Sequence, residues 1–184
     1  MLEPDKSQLG HLSIFWGNGK GKSTSAFGTA VRALGNGYKV HLVQFMKNGA
    51  SSLEQQIPGE IHSLEKFPNF SYRRFGIGSW VTNKNKQEHI DSVKETLNYL
   101  KLSLNENYDI IIADEILYAI QLGLLQEQEV TDLIENRPKN KDLILTGSHI
   151  AYPNIFDKAD LVTEIKKIKH PYDKGILARK GLEF

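Results

Sequence analysis

The chain has 184 residues, 40% of them hydrophobic and 24% charged, which is enough for one domain with a sizeable core. Its 23 Lys and Arg against 22 Asp and Glu leave a net charge of +1, which gives no support to a nucleic-acid or anionic-membrane binder. The sequence has no cysteine, so disulfides, cysteine-ligated metal centres and a cysteine nucleophile are excluded.

The N-terminal segment, residues 1–11, is polar and is expected to be flexible at the start of a single domain that covers residues 1–184. It lacks the apolar core of a signal peptide. Nowhere does the chain carry the run of about 18 apolar residues that a membrane-spanning helix needs. We therefore expect a cytoplasmic protein.

Five short apolar runs are predicted to be strands that are buried on both faces. They span residues 12–16, 40–45, 109–113, 143–146 and 161–165. Runs this short, rich in Ile, Val and Leu, are typical of a parallel sheet covered by helices.

Segments with the helical spacing of apolar residues lie between these runs. One stripe covers residues 26–34, including Val31, and is followed by a Gly-Asn-Gly stop at 35–37. A second covers residues 90–104, and a third ends before Pro138. The alternation of strands and helices predicts an α/β fold with a parallel sheet. The least regular section, residues 50–85, is interpreted as a binding loop or as a plain connecting loop.

Between the first predicted strand and the first predicted helix lies a glycine-rich loop, Gly17-Asn18-Gly19-Lys20-Gly21-Lys22-Ser23-Thr24. Its glycines allow successive backbone N–H groups to turn inward and form an anion cradle, and the helix N-terminus adds partial positive charge. Lys22 supplies a full positive charge, and the Ser23 hydroxyl is placed to ligate Mg²⁺. We expect this loop to bind the phosphates of a nucleotide; a generic glycine-rich turn is the alternative.

The loop is one residue shorter than the standard phosphate-binding motif. That motif has a glycine, four residues and then Gly-Lys-Ser/Thr. Counted back from Gly21, the first position holds Trp16, and the nearest glycine is Gly17. Such a loop should still bind a polyphosphate, but it need not present the γ-phosphate as an ordinary ATPase does.

Two carboxylates, Asp114 and Glu115, directly follow the third predicted strand. Ligands of open α/β sheets bind at the carboxyl ends of the strands, so both side chains are placed to hold Mg²⁺ next to Ser23. In a hydrolase, Glu115 could instead orient a water molecule. An exposed acidic turn without a function is the remaining alternative.

Several further segments accompany these two motifs in a fixed order. They are Val43-Gln44-Phe45-Met46-Lys47, Gly123-Leu124-Leu125, Arg137-Pro138, Leu145-Thr146-Gly147, Ala159 to Glu164, Lys169-His170-Pro171 and the ending from Lys174 to Phe184. Together, from about residue 12 onward, they resemble the P-loop type of ATP:corrinoid adenosyltransferases, which adenosylate cob(I)alamin and cob(I)yrinic acid a,c-diamide. The resemblance implies a three-layer P-loop NTPase (RecA-like) fold with a mostly parallel central sheet flanked by helices.

The resemblance also implies a displacement at carbon, in which Co(I) attacks the 5′ carbon of ATP and the whole triphosphate leaves. Negative charge then develops on the leaving oxygen, where Lys20, Lys22 and Mg²⁺ (or Mn²⁺) held by Ser23, Asp114 and Glu115 would stabilise it. ATP would lie in the reverse of the usual direction, which accounts for the short loop. A homodimer is implied as well. The lack of cysteine and of any flavin or iron–sulfur signature separately predicts an external reductant, a flavoprotein.

The chain departs from the family in the irregular middle section. Many members carry Gly-Phe-x-Trp there, and these aromatic residues help to form the face beneath the corrin. The corresponding stretch of this chain places Ser79 at the Phe position and Trp80 one residue early. Trp80 is therefore a candidate corrin contact, with core or rim packing as the alternative.

A second departure follows Thr146-Gly147, where the family continues with Arg and a short turn. This chain has Ser148-His149 and a turn that is one residue longer. His149 could contact ATP or the corrinoid, or it could be a solvated loop residue. Of the other histidines, His41 is expected to pack within the second strand, and His89 is expected on the polar side of its helix.

Two other functions remain open at this stage. A P-loop ATPase or small-molecule kinase would split the β–γ bond of ATP, although a full-length loop would favour it more. A non-catalytic relative would bind ATP or an adenosylcorrinoid as a carrier or regulator, and the altered Ser79-Trp80 region is its support.

Overall fold

A computed structural model describes residues 3–48 and 57–182. Its strands are β1 (Leu12–Trp16), β2 (Val40–Gln44), β3 (Phe70–Arg74), β4 (Ile110–Asp114), β5 (Asp142–Thr146) and β6 (Leu161–Glu164). Its α-helices are α1 (Lys22–Gly35), α2 (Gly59–Leu64), α3 (Lys86–Ser103), α4 (Ile116–Gln121), α5 (Glu127–Asn136) and α6 (Pro153–Phe156). The six strands form one sheet in the order β3-β2-β4-β5-β1-β6, and each neighbouring pair is parallel.

Helices cover both faces of this sheet and create two apolar cores. On one face, α1 and α2 pack against residues such as Leu42 and Ile112. On the other face, α3 to α6 pack against residues such as Phe45 and Ile111. Because β2 and β4 contribute side chains to both cores, they are buried on both faces, as the sequence predicts. The structure confirms the α/β class and the parallel sheet flanked by helices.

Two helix ends fall where the sequence signals place them. Helix α1 ends at Gly35, with Asn36 as its C-cap and Gly37 at a φ of 88°. The carboxyl end of α5 is Asn136, after which Arg137 is extended. The residue before a proline is disfavoured in the helical region, so Pro138 sets this end.

The section from 50 to 85 is not simply irregular, since it contains α2 and β3; residues 49–56 lie outside the described part of the chain. Strand β3 pairs with β2 at the edge of the sheet and is only half-buried. The apolar-run criterion missed it because its sequence, Phe-Ser-Tyr-Arg-Arg, is not continuously apolar. This section therefore extends the sheet before it forms a loop.

Three other expectations about burial are wrong. Strand β6 is exposed along its whole length, because it is the other edge of the sheet. Val31 points outward from α1 and is exposed. His89 is only 4% exposed, so it lies on the buried side of α3 and not on the polar side. The expectation for His41 is confirmed, since it is buried in β2 and stacks on Tyr108.

Within the N-terminal segment, residues Lys6–Gln8 form a short 3₁₀ helix. The Nζ atom of Lys6 lies 2.6 Å from Asp109 Oδ1, and the Tyr38 hydroxyl donates to the Asp5 carbonyl at 2.6 Å. These contacts link the segment to the start of β4 and the loop before β2. Within residues 3–48 and 57–182, none of the helices has the length and hydropathy that a bilayer crossing requires.

Candidate active site

The glycine-rich loop leaves the carboxyl end of β1 and packs against the chain that follows β6. Gly17 and Gly21 adopt φ values of 112° and 124°, which favour glycine. A Cβ atom at Gly17 would meet the Ile165 carbonyl oxygen well inside contact distance, and one at Gly19 would lie 2.8 Å from the carbonyl carbon of Lys166. The close backbone approach therefore requires glycine at 17 and 19, and the positive φ favours glycine at 17 and 21.

Hydrogen bonds hold the loop in this position. The Gly17 N–H donates to the Ser148 carbonyl at 3.0 Å, and the Gly19 N–H donates to the Ile165 carbonyl at 2.8 Å. The backbone N–H of Lys167 donates to Asn18 Oδ1 at 2.9 Å. The segments after β5 and β6 therefore fix the shape of the loop.

The two loop lysines point in different directions. The Nζ atom of Lys22 donates to the carbonyls of Gly17 and Gly19 at 2.8 and 3.0 Å, so it lies against the loop itself. Lys20 donates to the Leu182 carbonyl at 2.8 Å, close to the carboxyl end of the chain. Ser23, half-buried, and Thr24, exposed, lie in the first turn of α1.

Charged neighbours surround the Lys22 ammonium group. Burial lowers its pKa below the ordinary value for lysine, and the nearby Lys47 ammonium lowers it further. The carboxylates of Glu115 and Asp114 act in the opposite direction and raise that pKa. The structure thus brings Lys22 together with both predicted carboxylates.

Asp114 is the last residue of β4 and is fully buried. Its Oδ2 atom accepts a hydrogen bond from Gln44 Nε2 at 2.9 Å, and its Oδ1 atom accepts one from the Thr146 hydroxyl at 2.6 Å. The donors come from β2 and β5, the two strands that flank β4. Both oxygens of this carboxylate are therefore held by the sheet.

Glu115 differs from Asp114 in exposure and in backbone conformation. It adopts a left-handed conformation with a φ of 66°, and its side chain is 17% exposed. Its Oε1 atom lies 3.2 Å from the Nζ atom of Lys47. The sequence pattern alone does not mark Lys47 as a site residue, although Lys47 ends the Gln-Phe-Met-Lys segment that begins at the last residue of β2. Its position beside Glu115 depends on the pairing of β2 with β4.

These groups fit a magnesium ion that is bound together with phosphates. Within the described residues, no cluster of three or more His, Asp or Glu side chains is arranged to hold a metal ion. Mg²⁺ usually keeps several waters and takes one or two carboxylates plus substrate phosphates, so a complete protein cage is not needed. Glu115 is the partly exposed carboxylate, Ser23 can supply a hydroxyl from the first turn of α1, and both oxygens of the buried Asp114 already accept hydrogen bonds.

Trp80 lies in the loop that follows β3 and is 75% exposed, so it is not a core residue. This loop starts at the carboxyl ends of the strands, where the Phe75 carbonyl accepts a hydrogen bond from the Lys47 N–H at 2.7 Å. Asn85 then donates to the Trp80 carbonyl at 3.0 Å and to the Ser79 hydroxyl at 2.9 Å. The indole is therefore presented to solvent by a loop with internal hydrogen bonds.

His149 also lies at the carboxyl ends of the strands, just after β5. Its backbone N–H donates to Gln121 Oε1 at 2.7 Å, and its exposed ring lies 5.7 Å from the ring of Tyr118. The preceding residue, Ser148, is fully buried with a φ of 65° and accepts the hydrogen bond from the Gly17 N–H. The backbone of His149 is thus anchored next to the glycine-rich loop.

A family model and several known proteins are similar to this chain over nearly its whole length. The family model described as ATP:corrinoid adenosyltransferase BtuR/CobO/CobP matches residues 8–184. The corrinoid adenosyltransferase of Pseudomonas aeruginosa is 35% identical over 181 residues, which cover 97% of this chain and 86% of that protein. The corrinoid adenosyltransferase of Escherichia coli K12 is 33% identical over 180 residues, covering 97% of this chain and 88% of that protein. Corrinoid adenosyltransferase CobA of Salmonella typhimurium is 31% identical, with the same two coverages of 97% and 88%.

The resemblance expected from the separate sequence motifs is therefore confirmed over nearly the whole chain. With a family match from residue 8 to residue 184 and relatives of 31–35% identity, the chain belongs to the ATP:corrinoid adenosyltransferase family, enzymes that transfer the adenosyl group of ATP to a corrinoid.

Proposed function

We propose that this site transfers the 5′-deoxyadenosyl group of ATP to the Co(I) centre of a corrinoid and releases triphosphate. The cobalt electron pair forms the Co–C5′ bond, and the C5′–O bond breaks with its electron pair on the triphosphate oxygen. Cobalt is formally oxidised from Co(I) to Co(III), and no further oxidant is needed. The observation that carries this proposal is the shortened loop, with Lys22 against its carbonyls, beside the Asp114–Glu115 pair.

The loop from Gly17 to Thr24 would hold the triphosphate, which is the leaving group of this reaction. Lys22 would exchange its contacts with two loop carbonyls for phosphate oxygens and so stabilise the charge that develops there. Bound Mg²⁺ would neutralise part of the same charge. Ser23 and Glu115 would hold that ion, and Asp114 would support it from its buried position.

Trp80 would contact the corrin. It is an exposed aromatic side chain on the loop that starts at the carboxyl ends of the strands. Contact between this side chain and an apolar ring system would bury apolar surface of both, which favours binding. We further propose an external flavoprotein reductant, because a chain without cysteine has no thiol or iron–sulfur cluster of its own. A homodimer, a single domain and a cytoplasmic location complete the proposal.

The direct test uses purified protein with ATP, Mg²⁺ and chemically reduced cob(I)alamin. We expect a light-sensitive Co–C bond and one triphosphate per adenosylated corrinoid. Release of ADP and phosphate without a corrinoid product would identify an ATPase instead. Nucleotide binding without any product would identify a carrier or regulator.

Replacement of Lys22 tests the assignment of the loop. Lys22→Ala removes the ammonium group that lies against the Gly17 and Gly19 carbonyls, so ATP binding and product formation should both be lost. Lys39→Ala is the matched control and should keep both, because Lys39 directly precedes β2 at the amino ends of the strands, opposite the carboxyl ends where the site lies. Full activity of Lys22→Ala would show that the loop is not the triphosphate site.

A further inference from the structure

The hydroxyl of Thr146 contacts both acidic residues of the site. It donates to Asp114 Oδ1 at 2.6 Å and accepts from the backbone N–H of Glu115 at 2.9 Å. Thr146 is the last residue of β5 and is fully buried, so water does not compete for either bond. A single oxygen atom therefore connects the side chain of one carboxylate residue to the backbone of the next.

The partner sets the direction of each hydrogen bond. A peptide N–H can only donate, so the Thr146 oxygen accepts from Glu115 through a lone pair. The hydroxyl hydrogen is donated to the carboxylate oxygen of Asp114. A valine at this position would have nearly the same shape but could make neither bond, whereas a serine could make both.

The backbone at Glu115 has a geometry that needs such support. A left-handed conformation is unfavourable for a residue with a Cβ atom, and Glu115 adopts it at the turn from β4 into α4. The chain after Thr146 closes over this turn, since a Cβ atom at Gly147 would lie 3.2 Å from the Cα atom of Glu115 and 2.8 Å from the backbone nitrogen of Tyr118. The end of β5 thus contributes one hydrogen bond and a close backbone contact to this turn. The Glu115 carbonyl also accepts hydrogen bonds from the N–H groups of Tyr118 and Ala119, both at 3.1 Å.

Gln44 completes the arrangement from the other side. Its Nε2 atom donates to Asp114 Oδ2 at 2.9 Å, so each oxygen of this buried carboxylate accepts one hydrogen bond. The carboxylate cannot rotate without breaking at least one of them. Asp114 is therefore a fixed acceptor, while the partly exposed Glu115 faces Lys47 and Lys22.

We propose that Thr146 is a positioning residue for the Mg²⁺–ATP site and sets the direction of the Glu115 carboxylate through the backbone of Glu115. This inference rests on the proposed function, in which Glu115 holds the metal ion. Removal of the hydroxyl would take away the hydrogen bond to the Glu115 N–H and leave Asp114 Oδ1 without its donor. Loss of an outer hydrogen-bond partner of a metal ligand typically weakens metal binding about tenfold to a hundredfold.

The test compares Thr146→Val and Thr146→Ser with the unchanged chain. Thr96→Val is the matched control, because Thr96 is also fully buried and its hydroxyl donates one hydrogen bond, to the Ser92 carbonyl at 2.7 Å in α3. For each protein, ATP affinity is measured by calorimetry over a range of Mg²⁺ concentrations and in the presence of EDTA. Melting temperature and adenosyltransfer to cob(I)alamin are measured on the same samples.

We expect Thr146→Val to raise the Mg²⁺ concentration that half-maximally promotes ATP binding by about tenfold or more. ATP affinity in EDTA should stay unchanged, since the phosphate loop is not altered, and Thr146→Ser should restore the Mg²⁺ dependence. Thr96→Val should lower the melting temperature only.

Unaltered Mg²⁺ dependence in a folded Thr146→Val protein would overturn the proposal, and so would an equal shift in Thr96→Val. If Thr146→Val does not fold, Thr146→Ser and Thr146→Ala take its place, and equal Mg²⁺ dependence of these two would overturn the proposal. Failure of the unchanged chain to adenosylate the corrinoid, with Mg²⁺-dependent ATP binding intact, would reject the proposed function and leave the positioning role standing.

Discussion

His41 should make the stability of this protein depend on pH between about 4 and 6.5. Its ring is 1% exposed, stacks on Tyr108 with 4.4 Å between ring centroids, and lies within hydrogen-bond distance of Ser71 and Tyr99. Burial lowers the pKa of His41 from 6.5 to about 4, although the Glu106 carboxylate acts in the opposite direction. The neutral ring is therefore the form that the folded chain accommodates.

The size of the effect follows from the two pKa values. In the unfolded chain His41 takes up a proton near pH 6.5, whereas in the folded chain it takes up a proton only at a pH of about 4. Between these values the unfolded state binds more protons, so acid favours unfolding. The free energy of unfolding is at its full value above pH 6.5 and falls by up to about 3 kcal/mol as the pH approaches 4.

The assay is urea unfolding of the chain and of His41→Gln at a series of pH values from about 7.5 to 4.5. Glutamine can keep a hydrogen bond but does not titrate, and the other ionisable groups are common to both proteins. The free energies of unfolding of the two proteins should therefore run parallel above pH 6.5 and converge below it. NMR titration of the ring of His41 measures the folded-state pKa directly. Parallel curves over the whole range, or a folded-state pKa near 6.5, would refute the reasoning.

Two further predictions concern the loop and the corrin contact. Gly17→Ala should weaken ATP binding and lower the melting temperature, because its Cβ atom would collide with the Ile165 backbone. The control is Gly28→Ala, whose Cβ atom would have no neighbour within 4 Å. It should keep ATP binding and stabilise α1 by up to about 1 kcal/mol. Equal ATP affinities of the two variants would contradict the close approach of the loop to the chain after β6. Trp80→Ala should change the free energy of unfolding by less than about 0.5 kcal/mol but raise the KM for the corrinoid. The control is Leu102→Ala, at another apolar residue that is 67% exposed, and it should change neither quantity. An unchanged KM for Trp80→Ala would exclude the corrin contact.

The sequence predicted the elements that have a continuous or regular apolar pattern. Strands β1, β2, β4 and β5 are interior strands that pack against helices on both faces, so their sequences are mainly apolar, and the runs reveal them within one residue. Strand β3 was missed because an edge strand with one solvent-facing side can carry Ser71 and Arg73. Helices α2, α4 and α6 have only six, six and four residues, too few to show a helical period.

The candidate site was predicted only where its residues are neighbours in sequence. The loop and the Asp114–Glu115 pair each form a continuous motif at the end of a strand. Thr146 and Lys47 join them through strand pairing, and nothing in the sequence states that β4 lies between β2 and β5. Register completes the set, since Gln44 is aligned with Asp114 across the β2–β4 pair.

The near-neutral net charge of the chain includes a local balance of opposite charges at the candidate site. Lys22 and Lys47 lie next to Asp114 and Glu115, so the site itself carries two positive and two negative side chains. Free ATP would meet the carboxylates as well as the ammonium groups, and like charges at short distance are unfavourable. Glu115 and Ser23 would hold a bound magnesium ion, whose positive charge would offset that repulsion. We therefore expect the site to select the magnesium complex of ATP over free ATP, and the carboxylates, rather than the lysines, to be the source of that preference.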